Sequence, residues 1–266
     1  MKARGVLVLA WAAFAERSAH DKCSHIRDED VAFALGPQFR AGWRRRFLNG
    51  NRTTCGGAGL SLGVARKVFS VGMAHTDVRG AVVAELEARG LRVGNVDGAR
   101  FYGEVVRRRN GERASTFFDG DHGAAAFRAR AGEFLDDLDA AHGLFLGQFA
   151  HELLTAYPTS LVVAAKRNTT TWLAAEVDRP RPDPDDRDRT WPFVHGAKAF
   201  DAYLSTKRYV EYYAALLRRV PCCQLLLVDP DDANDAWDDR LRSFLKRAKV
   251  KRPPRAADAA ASPGAT

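Results

Sequence analysis

The chain has 266 residues, enough for one α/β domain with a large core or for two small domains. Its 46% of hydrophobic and 28% of charged residues are the proportions of an ordinary globular protein. No C-x-x-C motif occurs, which argues against a zinc or redox site built on cysteine pairs. The formal net charge of +8 favours anionic partners, such as nucleotides and sulfated or phosphorylated substrates, and part of it lies in residues 246–255.

The first fifteen residues have the pattern of a secretory signal peptide. Lys2 and Arg4 supply positive charge, Gly5–Phe14 is a short apolar run, and Ala13–Ala15 has the small-x-small form of a cleavage site. The alternative is a buried N-terminal strand or helix. No other segment is long and apolar enough to span a membrane. We therefore expect no stable transmembrane anchor, and localisation in the lumen of the secretory pathway (Golgi) or secretion.

The four cysteines are Cys23, Cys55, Cys222 and Cys223. In a secreted chain an even count permits two disulfides, here in three connectivities. A Cys23–Cys55 bond would tie down the N-terminal segment, whereas the adjacent pair cannot easily bond to itself. The alternative is four buried thiols.

Strands and helices alternate along the chain from Lys67 onward. Apolar runs predict strands over residues 67–72, 91–96, 160–165 and 225–228. Helical spacing of apolar residues predicts helices over 78–89, 124–138, 148–157, 199–219 and 236–247. This alternation predicts an α/β fold with a parallel sheet and helices on both of its faces.

Three segments lie outside this alternating domain, which we place at residues 67–247. They are the signal-like residues 1–15, a mixed N-terminal extension over 16–66, and a tail over 248–266 whose composition predicts disorder.

Residues 67–90 have the form of a phosphate-binding loop. An apolar strand reaches Gly72, a short polar turn follows, and a helix begins. Asp77 stands where such loops carry a second glycine. The turn lacks the combination of second glycine, lysine and hydroxyl residue of an ATP-binding loop, which argues against a kinase or a GTPase.

Three blocks in order resemble the P-loop sulfotransferases: Lys67–Val93, Phe149–Val177 and Tyr209–Leu245. The middle block is the most specific, with a helix ending in AYP, a buried strand, then Arg167 and Trp172. The resemblance implies a three-layer P-loop NTPase-like fold with a central parallel sheet.

The activity implied by the resemblance is sulfuryl transfer, without a metal, from 3′-phosphoadenosine 5′-phosphosulfate (PAPS). The acceptor would be a hydroxyl of a small molecule or a glycan, not nucleic acid. In this family a strand-to-helix loop holds the 5′-phosphosulfate, and an arginine after a later strand holds the 3′-phosphate. Gly72, Thr76 and Arg167 match these positions. His75 stands at the basic position of the loop, and Arg79 supplies positive charge at the start of the helix.

Several positions depart from the family pattern. Asp77 would repel a phosphosulfate, Val78 replaces a hydroxyl residue, and Ala175 stands where a serine is expected. Asp77 is also predicted to cap the helix that begins at residue 77 or 78, accepting N–H groups that a phosphate would otherwise occupy. Two hypotheses follow: a PAPS-dependent sulfotransferase, or a catalytically impaired relative that acts as a binding or scaffold protein. The sequence identifies neither the acceptor nor the general base.

Overall fold

The computed structural model describes residues 25–36, 67–73, 78–96, 121–143, 146–178, 200–229, 231–232, 235–248 and 250. The predicted signal peptide and nearly all of the predicted tail lie outside the described residues.

The described residues form a parallel sheet of five strands in the order β2-β3-β1-β4-β5. The strands are β1 (Val68–Val71), β2 (Val93–Asn95), β3 (Ala140–His142), β4 (Leu161–Ala165) and β5 (Leu225–Val228). Every residue of β1, β4 and β5 is buried, as expected for parallel strands covered on both faces. The predicted α/β class, a P-loop NTPase-like fold with a central parallel sheet, is confirmed.

Helices cover both faces of the sheet. They are α1 (Asp28–Leu35), α2 (Val78–Ala88), α3 (Asp121–Leu135), α4 (Ala150–Ala156), α5 (Thr169–Val177), α6 (Ala202–Arg219) and α7 (Trp237–Arg247), with 3₁₀ turns at Leu146–Phe149 and Cys222–Gln224. Alternate strand residues enter two separate cores, as the two-residue period of a strand requires. Phe69 and Val71 pack with α1, α3, α4, α5 and α6, whereas Val68 packs with α2 and α7.

Strand β3 was not among the predicted strands. It has only three residues, Ala140, Ala141 and His142, and therefore shows no apolar run. Its place between β2 and β1 comes from pairing on both sides, which no local pattern reveals. The helix predicted over 124–138 ends at Leu135, because the chain must turn there to enter β3.

Helix α1 lies within the predicted N-terminal extension and belongs to the core of the domain. Val31 and Ala34 are buried together with Ile26, and the helix packs against α6. The three acidic residues of its first turn complement the positive end of the helix dipole.

Cys222 and Cys223 are both disulfide-bonded. Cys23 and Cys55 lie outside the described residues. The predicted Cys23–Cys55 bond therefore stays a prediction.

Because His25 is buried, we expect the folded protein to lose stability in mild acid. Its Nε2 donates to the Leu225 carbonyl at 2.7 Å. Burial, together with the positive charges of Arg247 and Arg240, lowers its pKa from 6.5 to about 4. The unfolded chain therefore takes up a proton more readily, so His25 contributes stability above about pH 6.5 that is lost as the pH falls towards 4.

We expect the urea-unfolding free energy to fall by about 3 kcal/mol from this source between pH 7.5 and pH 4. His25→Gln should remove that part of the pH dependence. His151→Gln is the matched control because His151 is exposed, and it should keep the wild-type slope. Equal slopes in both variants and the wild type would contradict the assignment.

Candidate phosphate-binding site

The loop that follows the central strand β1 lies where P-loop folds bind phosphate. Strand β1 lies between β3 and β4, and the residues that follow it, Gly72 and Met73, are buried. Helix α2 begins at Val78, as predicted. A strand end and a helix N-terminus so close in sequence bring unpaired backbone N–H groups towards one point, an arrangement suited to an anion.

The predicted site residues are only partly within the described structure. Gly72 directly follows β1, Arg79 lies in the first turn of α2, and Arg167 is the second residue past β4. Because β1 and β4 are parallel neighbours, Gly72 and Arg167 reach the same edge of the sheet. His75 and Thr76, and Asp77 with its predicted capping role, lie outside the described residues.

The guanidinium of Arg167 binds a carboxylate. Nε and Nη2 donate to the two oxygens of Asp231, the second at 3.2 Å. This is the paired geometry with which arginine also binds phosphate. A phosphate at Arg167 would therefore have to displace Asp231.

The backbone of Arg167 is fixed by Tyr209 of α6. The tyrosine hydroxyl accepts the Arg167 N–H at 2.7 Å and donates to the Arg167 carbonyl at 3.1 Å. The Tyr209 ring stacks on the fully buried Trp172 with the centroids 4.1 Å apart. Burial raises the pKa of Tyr209, so the hydroxyl remains a donor at neutral pH. Trp172 thus packs against the residue that holds the Arg167 backbone.

Tyr213, one turn further along α6, joins the ends of two strands. Its buried hydroxyl donates to the Ala165 carbonyl at the end of β4. It also hydrogen-bonds to the backbone of Met73, just past β1. Burial raises its pKa well above the usual range. A buried phenol needs a hydrogen-bond partner, but the sequence does not show which backbone groups Tyr213 reaches.

Lys166 precedes Arg167 and has a different role. Its ammonium group is buried and lies 2.9 Å from Asp229 and 3.5 Å from Asp30. Arg240 of α7 lies 3.2 Å from Asp30 and 2.6 Å from Asp235.

Arg27 completes this buried charge cluster by pairing with Asp30 and Asp235. Three buried carboxylates (Asp30, Asp229, Asp235) thus face three basic groups (Lys166, Arg240, Arg27). Lys166 is therefore held in the interior of the protein and does not serve a ligand.

The described residues show neither a metal-binding cluster nor a membrane-spanning helix. In the described part of the chain no three His, Cys, Asp or Glu side chains are grouped to hold a metal ion. Within the same ranges no helix has both the length and the apolar character needed to cross a bilayer.

Comparison with known proteins adds little to this geometry. No protein-family model matches the chain, and no curated protein matches it. Among solved structures, shikimate kinase from Bacteroides thetaiotaomicron is similar with a TM-score of 0.37 and 11% sequence identity, over 69% of this chain and 96% of that chain. A likeness at this level says nothing about function, and the strand order given above carries the fold assignment.

The buried charge cluster predicts a large effect of a nearly isosteric change. Asp30→Asn keeps the shape but leaves Lys166, Arg240 and Arg27 with one carboxylate fewer in the interior. We expect a loss of about 3–5 kcal/mol in the urea-unfolding free energy at pH 7, the usual result of breaking a buried ion pair on one side.

Glu29→Gln is the matched control, since Glu29 is the exposed neighbour on the same helix turn. It should change stability by less than about 1 kcal/mol. A loss below about 1 kcal/mol for Asp30→Asn would show that the cluster does not act as a unit.

Proposed function

We propose that this protein binds the bisphosphate part of PAPS at the loop between β1 and α2 and at Arg167, and that it transfers the sulfuryl group to a hydroxyl acceptor. One observation carries the proposal: Gly72 at the end of the central strand and Arg167 past the neighbouring strand lie at one edge of the sheet. Two anchors at this edge suit a donor with phosphate groups at two ends of a nucleoside.

The anchors favour PAPS over ATP. An ATP-binding loop would supply a lysine to the terminal phosphates, and none stands between Gly72 and α2. Arg167, by contrast, can take a 3′-phosphate with two parallel hydrogen bonds once Asp231 moves aside. When bound, PAPS supplies the sulfuryl group, and the residues of this chain would hold and orient it.

The cysteines support a secretory setting for this activity. Disulfides such as those of Cys222 and Cys223 form and persist in oxidising compartments. Together with the signal-like N-terminus, they favour the lumen of the secretory pathway or secretion.

A second function is favoured by the same edge of the sheet. Asp231 occupies the Arg167 fork, and the Met73 backbone is already bonded to Tyr213. These contacts, together with Asp77 in the loop, are also expected of a relative that has lost catalytic turnover and serves as a binding or scaffold protein.

Calorimetry with 3′-phosphoadenosine 5′-phosphate separates the two functions. The sulfotransferase proposal expects binding, with ATP clearly weaker because it lacks the 3′-phosphate. No detectable heat at millimolar bisphosphate would exclude the enzyme and leave the binding protein.

Asp231→Asn tests whether the carboxylate competes with the ligand. The variant removes the ion pair that competes with the ligand for Arg167. A partly exposed ion pair contributes up to about 1 kcal/mol, so the affinity for the bisphosphate should rise by up to about fivefold. Asp239→Asn removes the same charge from an exposed position on α7 and should leave the affinity unchanged. A weaker or unchanged affinity in Asp231→Asn would show that Arg167 is not an anchor.

Asp77→Gly tests the predicted self-capping of the loop. It should free the N–H groups of the first turn of α2 and remove a repelling charge, so bisphosphate affinity should rise in the same titration. The change should cost about 1 kcal/mol or less in stability, since glycine is a tolerable helix cap. Binding that stays the same or weakens would contradict self-capping and direct attention to His75 and Arg79.

A further inference from the structure

A polar groove runs along the outside of the helical layer, between α6 on one side and the 3₁₀ turn with the start of α4 on the other. Its walls carry Arg208, Glu211 and Arg219 from α6, and Gln148 and His151 from the opposite side. The 3₁₀ turn also packs against β1, so this wall of the groove adjoins the central strand.

The groove is long. Arg208, Glu211 and Arg219 fall on one face of α6, and the two arginines are eleven residues apart, which corresponds to about 16 Å along a helix. Gly147 permits the two walls to approach, because a Cβ atom there would lie 1.7 Å from the Tyr212 hydroxyl oxygen. Two cations at this separation suit a ligand with two anionic groups better than a single small ion.

The charge of Arg219 acts on Glu152 of α4, so one cation of the groove already faces a carboxyl group. Neither Arg208 nor Arg219 forms an ion pair with a carboxylate of the described residues, in contrast to Arg167 and Arg240. His151 is exposed beside them.

Glu211 distinguishes between possible polyanions. It lies on the groove face between the two arginines and pairs only at 4.0 Å with Lys207. A nucleic acid has a phosphate at every nucleotide and would bring negative charge against this carboxylate. A ligand with hydroxyl groups between widely spaced anionic groups can instead donate hydrogen bonds to Glu211.

We propose that this groove binds an acidic oligosaccharide, with its sulfate or carboxylate groups on Arg208 and Arg219 and its hydroxyls on Glu211 and Gln148. Binding there goes beyond the donor site and does not require it. Use of the groove as an acceptor subsite rests on the proposed function.

The test compares two double variants of the full chain that have the same net charge. Arg208→Gln with Arg219→Gln removes the groove cations. Arg218→Gln with Lys246→Gln removes two exposed cations that do not line the groove. The probe is a hyaluronan hexasaccharide, which carries one carboxylate per disaccharide with free hydroxyl groups between them. It is titrated by calorimetry at 0.15 M salt, with an uncharged glucose hexasaccharide and a single-stranded DNA hexanucleotide for comparison.

We expect the groove variant to lose at least about tenfold in affinity for the acidic hexasaccharide and the control no more than about twofold, from loss of general attraction. The uncharged sugar should bind far more weakly. Glu211→Gln should weaken the acidic sugar, since it replaces a charged acceptor, and strengthen the DNA. Unfolding in urea, measured on each variant, confirms that the compared proteins are folded.

Equal losses of sugar affinity in the two double variants would overturn the proposal, since they would show general electrostatic attraction and no specific site. DNA that binds as tightly as the sugar and is lost in the groove variant would also overturn it in favour of nucleic acid. Bisphosphate titrations on the same proteins distinguish the two proposals. Binding of the sugar without the bisphosphate would contradict only the proposed donor site. Binding of the bisphosphate without the sugar would contradict only the proposed groove.

Discussion

The buried charge cluster around Asp30 constrains much of this fold. It joins α1 to the ends of β4 and β5 and to α7, with Lys166 and Arg240 each bridging two carboxylates. Charges inside a protein are tolerated only when all of their partners are in place. The elements on this side of the sheet must therefore assemble together, and helix α1 is part of that assembly even though it precedes the alternating domain. The edge that carries Arg167 is fixed as a consequence.

Helix α6 connects this rigid edge to the candidate site. Tyr209 and Tyr213 bond to backbone groups past β4 and β1, so the strand ends are fixed without a ligand. Asp231 takes the position on Arg167 that a phosphate would need. Any anion that binds at this edge must therefore replace existing bonds. The other face of the same helix lines the groove, so α6 both supports the sheet edge that carries Arg167 and presents a second polar surface.

Prediction from sequence succeeded where local pattern decides structure. The apolar runs of β1, β4 and β5 and the helical spacing of α6 were correct, because a buried strand and an amphipathic helix each have a recognisable period. It missed β3, α1 and also α5. The first is three residues long, and the second gains its stability from packing against α6 and from the partners of Asp30.

The sequence by itself determined the class of fold, the position of Gly72 at the end of the first predicted strand and the place of Arg167 after a later strand. The order of strands and helices along the chain sets a parallel sheet. Only the tertiary structure decided what those residues contact. Arg167 and Asp231 are 64 positions apart in sequence, and Asp30 and Arg240 are 210 apart. Contacts over such separations depend on how the packed layers bring distant segments together, and no local period in the chain records them.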